Sequence, residues 1–97
     1  MVKLILPSYM IGEQDNVDLI EHGNAVIMCD ANESVSQTLL NASKRMPNAF
    51  SNVIDNSKIS KSVIVAYNNL LIRHQDLEKI ITKKDDTIEV LTQFAGG

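Results

Sequence analysis

The sequence predicts an α+β domain in which a mixed sheet of four to five strands carries one main helix across it. Three observations lead there. Two strand-like runs, "VKLIL" and "AVIMCD", open the chain; a single stretch of helical period follows, "SVSQTLLNASKRMP"; and the second half returns to strand composition in "SVIVAYNNLLIRH" and "TIEVLTQF". Ninety-seven residues suffice for one domain with its own core, so neither a disulfide framework nor a metal staple is needed.

The first strand is read within Val2 to Ile11, with Pro7 marking an edge or bulge late in the run because proline has no N–H for a ladder. Gly12 to Asn24, rich in Gly, Asn and acidic residues, reads as a long exposed connection with at most short structure around Val17 to Ile20. Ala25 to Asp30 is the second strand. Ser34, followed three residues later by Gln37, forms a capping-box signature, and Val35, Thr38, Leu39, Ala42 and Met46 recur at helical spacing until Pro47. A helix is therefore expected over about 35–46. A short helical turn in "AFSNVID" is expected next, ended by Asn56 and Ser57.

Asn68-Asn69 separates "SVIVAY" from "LLIRH", and Asn tolerates the positive φ of a type I′ turn, so these runs pair as a hairpin. A short helical turn is expected in "DLEKII". The last strand alternates, with Ile88, Val90, Thr92 and Phe94 opposing Thr87, Glu89, Leu91 and Gln93. With the first and last strands central and parallel, this order is that of the β-grasp. The domain is expected over 1–93, with a flexible Gly-Gly tail over 94–97.

Net charge is −3, from 9 basic and 12 acidic residues without a basic stripe, which argues against a nucleic-acid partner. The apolar start is far shorter than a membrane span or a signal-peptide core, so a cytoplasmic location is expected. Cys29 is the single cysteine, has no second Cys at metal-site spacing, and reads as a small buried hydrophobe. His22 and His74 match no catalytic motif.

The capped helix, the hairpin "VIVAYNNLLIRH" and the ending "DTIEVLTQFAGG" together resemble the MoaD/ThiS-type sulfur carriers, ubiquitin-like proteins of molybdopterin and thiamine biosynthesis. Asn69 and Asp85 stand where that family commonly has glycine, and both residue types accept positive φ. Thr92-Gln93-Phe94-Ala95 replaces the Pro-rich stretch common before the tail of molybdopterin-type members. The resemblance implies no bound cofactor and no enzymatic activity of the chain's own: it is a cosubstrate, or the small subunit of a sulfur-transferring synthase. An adenylating, ubiquitin-activating-type enzyme would use ATP on the carboxylate of Gly97, with Ala95 and Gly96 forming the slender approach, and a sulfur-acceptor synthase subunit would receive the sulfur. Phe94, Leu91 and Leu71 are expected to form an apolar partner-binding patch near the tail, although core packing of one or more of them fits equally well. The alternatives are a ubiquitin-like modifier conjugated through Gly97 and a plain β-grasp interaction module.

Overall fold

The computed structural model describes residues 1–92. Helix α1 spans Val35–Arg45 and begins where expected: the Ser34 hydroxyl accepts the Gln37 N–H at 3.1 Å, satisfying one of the amides that a helix start leaves without a partner. The cap is one-sided. The Gln37 side chain donates to Asn41 at 3.0 Å instead of reaching back, and Asn41 in turn donates to Glu33 at 2.8 Å. Lys44 and Arg45 occupy the last turn, where the helix dipole favours cations, and Met46 closes it before Pro47. Val35, Thr38, Leu39 and Ala42 face inward at i, i+3, i+4 and i+7.

Eight strands accompany the helix: β1 (Val2–Pro7), β2 (Leu19–Glu21), β3 (Asn24–Cys29), β4 (Ile54–Asp55), β5 (Lys58–Ile59), β6 (Val63–Tyr67), β7 (Leu70–Ile72) and β8 (Thr87–Thr92). Six form one sheet in the order β2-β3-β1-β8-β6-β7, and β4 with β5 makes a separate small hairpin. The first and last strands of the chain are its two middle members and run parallel, Leu4 opposite Ile88. Every second residue of the inner strands faces the helix: Val2, Leu4 and Leu6; Ala25 and Ile27; Val63 and Val65; Ile88 and Val90 are all buried. Leu39, Met46, Phe50 and Val53 fill the other side of that core. Each such apolar side chain contributes about 1.5–3 kcal/mol by leaving water, so the shared face outweighs any single turn or cap.

Three two-residue turns have both residues at positive φ: His22-Gly23, Asn56-Ser57 and Asn68-Asn69. This is the type I′ geometry, whose twist matches that of paired antiparallel strands. Asn68 and Asn69, at φ 50° and 70°, adopt the turn expected of them, and Asp85 lies at φ 71°. Asn56 and Ser57 do not merely end a helical turn, because they join β4 to β5.

The structure corrects three further expectations. β1 stops at Pro7 and a single 3-10 turn, Ser8–Met10, follows, with the Ile11 N–H on the Ser8 carbonyl at 3.1 Å. The stretch 12–24 is not a bare connection, since it contributes edge strand β2, which raises the main sheet to six strands. It is also tied down: the Asp15 carboxylate accepts backbone N–H groups from Gly12, Asn48 and Ala49, and Asp18 accepts the Met28 N–H at 2.7 Å while pairing with Arg45 at 3.2 Å. The short helical turn before β8 is a 3-10 turn over His74–Asp76, which ends where the expected stretch "DLEKII" begins.

Candidate functional site

Residues directly opposite one another in a sheet share a face. Ile64 lies opposite Leu91, and Ala66 lies opposite both Glu89 and Leu71, so Leu71, Ala66, Ile64 and Leu91 form an apolar group across β7, β6 and β8. Their neighbours Val63, Val65, Ile88 and Val90 point into the core, which puts this group on the sheet surface turned away from α1. Leu71 is 76% exposed and Leu91 41%. The structure thus brings together two of the three residues expected in the patch. Phe94, like Ala95, Gly96 and Gly97, lies outside the described residues. Ile64 and Ala66 complete the patch; the sequence does not single them out, because they sit in the continuous apolar run "VIVA".

The strand that leads toward Gly97 is held at its start by a polar cluster. The Tyr67 hydroxyl donates to the Asp86 carboxylate, which also accepts the Lys83 N–H at 2.7 Å and an Asn68 side-chain N–H at 3.1 Å. Asn68 returns to β8 by accepting the Thr87 N–H at 2.9 Å and donating its own N–H to the Thr87 carbonyl at 2.8 Å. The β6–β7 turn is thereby bolted to the first residue of β8. Burial, then the hydrogen bond to Asp86 and its negative charge, push the Tyr67 phenol up from 10.0 to about 12. The Asp86 carboxyl is held low, chiefly by the hydrogen bond from Tyr67.

A phenol with a raised folded-state pKa stabilises the fold fully below its unfolded value and loses that contribution as pH climbs past it. The window here runs from pH 10.0 toward about 12. Ultraviolet titration of tyrosinate should resolve an ionisation near the top of that window, absent in Tyr67→Phe. A wild-type profile unchanged by that substitution would refute the assignment.

No family model matches the sequence, and no curated protein matches it. Among solved structures, SAMP1 from Haloferax volcanii is similar over 98% of this chain and 99% of its own, with a TM-score of 0.58 and 15% sequence identity. The chain has the β-grasp fold. At that identity the likeness is one of fold.

Within the β-grasp, the remaining reactive side chains are dispersed. His22 occupies the β2–β3 turn, while His74 places Nε2 at 2.6 Å from the Ile59 carbonyl, which can only accept, so that nitrogen carries a proton. Cys29 is half-buried at the end of β3, and burial pushes its thiol up to about 11, leaving it protonated and weakly nucleophilic near neutrality. Among the described residues no helix is long and apolar enough to cross a membrane.

Proposed function

We propose that this β-grasp chain is a sulfur carrier of the MoaD/ThiS type, working as a protein cosubstrate in the cytoplasm. The observation that supports it best is the course of β8: a central strand of the sheet, edged by the exposed Leu71–Leu91 patch, leads in five further residues to Gly96-Gly97. The patch offers an activating enzyme an apolar anchor, and the glycines offer it a chain narrow enough to enter a confined active site.

The chemistry follows from what a carboxylate lacks. It is a poor electrophile, so the Gly97 carboxylate must first attack the α-phosphorus of ATP on the partner enzyme, releasing pyrophosphate and forming an acyl-adenylate. A sulfur nucleophile then displaces AMP, and the resulting thiocarboxylate passes its sulfur to an acceptor held by a synthase subunit. The chain itself contributes position and a terminus, with no general acid or base and no bound cofactor of its own.

Intact mass spectrometry of the full-length protein, incubated with its activating enzyme, ATP and a sulfur source, should show the exchange of one oxygen for sulfur at Gly97. The same measurement reads whether Gly97 carries a free carboxylate in the protein isolated from its source. A ladder of higher-mass conjugates in cell extract without any thiocarboxylate would overturn the carrier reading in favour of a modifier.

A further inference from the structure

Beside the strand end that leads to Gly97 lies an open cavity of about 470 Å³ formed by β5, the segment between β5 and β6, and the residue two beyond β7. Lys58, Lys61, Ser60, Ser62 and His74 line it, with Asp55 as the one carboxylate among the lining residues. Among the described residues the ion pairs are Arg45 with Asp18 and Arg73 with Asp76, so the lysines are left without one, and Lys58 and Lys61 differ from the rest in sharing one cavity. They do so in a chain whose net charge is −3. A cationic concavity on an acidic protein stands out against its own background field.

The cavity wall also offers fixed donors. The Ser60 and Ser62 hydroxyls share one hydrogen bond at 2.9 Å, which uses the proton of one and leaves that of the other to donate elsewhere. Its position follows from the register. Val63, the first residue of β6, pairs with Thr92, the last of β8, so Lys61 and Ser62 sit where the chain departs toward Gly97. Ile72 pairs with Val65 and brings His74 to the same end.

We propose that this cavity docks an acidic segment of a protein partner. On the carrier reading above, on which the partner's identity rests, that partner is the activating enzyme, and the contact would fix where the tail enters it. Charge complementarity selects the occupant, since two lysines and a hydroxyl donor match one or two carboxylates, whereas the patch on the open sheet face is flanked by Glu89, which would repel them.

The test uses the full-length ¹⁵N-labelled protein titrated with a hexaglutamate peptide. Amide shifts should concentrate in 55–62 and around His74, weaken steeply with added salt, and fall at least tenfold in apparent affinity in Lys58→Glu/Lys61→Glu but not in Lys83→Glu/Lys84→Glu. Shifts that spread over the surface, or that persist in the first double variant, overturn the site. So does equal binding of inorganic phosphate or of a short oligothymidine, which would mark an unspecific anion or nucleic-acid surface. The peptide titration contains no activating enzyme, so a missing thiocarboxylate would remove the carrier reading while leaving the peptide result to stand or fall alone.

Discussion

A chain ending at Ala95 is expected to fold and melt as the full protein does and to lose activation completely. The body is finished before the cut: Val90 is the last buried residue of the described core, and pairing between β6 and β8 closes with Val63 opposite Thr92. Terminal residues beyond the last pairing contribute little to stability. Activation is another matter, because removing two residues withdraws the terminal carboxylate by about 7 Å. Reacting atoms must come within about 3–3.5 Å of each other, so a shortfall of that size is not a partial loss. Thermal denaturation and ATP–pyrophosphate exchange by the activating enzyme check the two halves separately, and exchange retained by the truncated chain would refute the role of Gly97. Gly97→Val is the companion variant. It keeps the length but adds a branched side chain next to the reacting carbonyl, and exchange should fall steeply without any change in melting.

Much of this architecture is legible in the residues. The helix is announced by Ser34 and its i, i+3, i+4 apolar series, the β6–β7 turn by Asn68-Asn69, and the parallel central pair by the element order. Short elements are another matter. β2 has three residues and β4 and β5 two each, too few for a period to show, and Asn56-Ser57 resembles the end of a helical turn as much as the middle of a hairpin. The apolar patch was half legible for a related reason. Leu71 and Leu91 were suggested by their strands near the tail, whereas Ile64 and Ala66 sit inside the continuous apolar run "VIVA", a composition that reads as a strand buried on both faces. Only the register opposite Leu91 and Leu71 shows that the second face is open.

The 12–24 stretch hides its role most completely, because its anchor is an aspartate whose partners are backbone amides far away in sequence, and Asp15→Ala should expose that role by destabilising the fold by about 3 kcal/mol. Asp15 Oδ2 accepts from the Gly12 N–H at 2.8 Å and the Ala49 N–H at 2.9 Å, while Oδ1 accepts from the Asn48 N–H at 2.9 Å. Hydrogen bonds to a charged group are worth about 1.5–3 kcal/mol each, but the exposed Asn48 amide can turn to water, so the total falls well below the sum. Packing adds to the constraint: a Cβ on Gly12 would lie 2.6 Å from Asn48 Cβ, so the two segments are pressed together where the carboxylate joins them. Without it, two or three backbone donors compete for water in a space too tight to admit much. Asp15→Asn separates charge from shape. Its amide keeps one acceptor oxygen but turns an NH₂ group toward a backbone N–H, donor against donor, so only part of the loss should be recovered. For a domain near this length 1 kcal/mol moves Tm by roughly 4–8 °C, which puts Asp15→Ala at roughly 12–24 °C below the parent and Asp15→Asn between them. Urea denaturation alongside the thermal scans guards against a change confined to heat capacity. An alanine variant within about 0.5 kcal/mol of the parent, the range of an ordinary surface substitution, would show that Asp15 only decorates a loop held by other contacts.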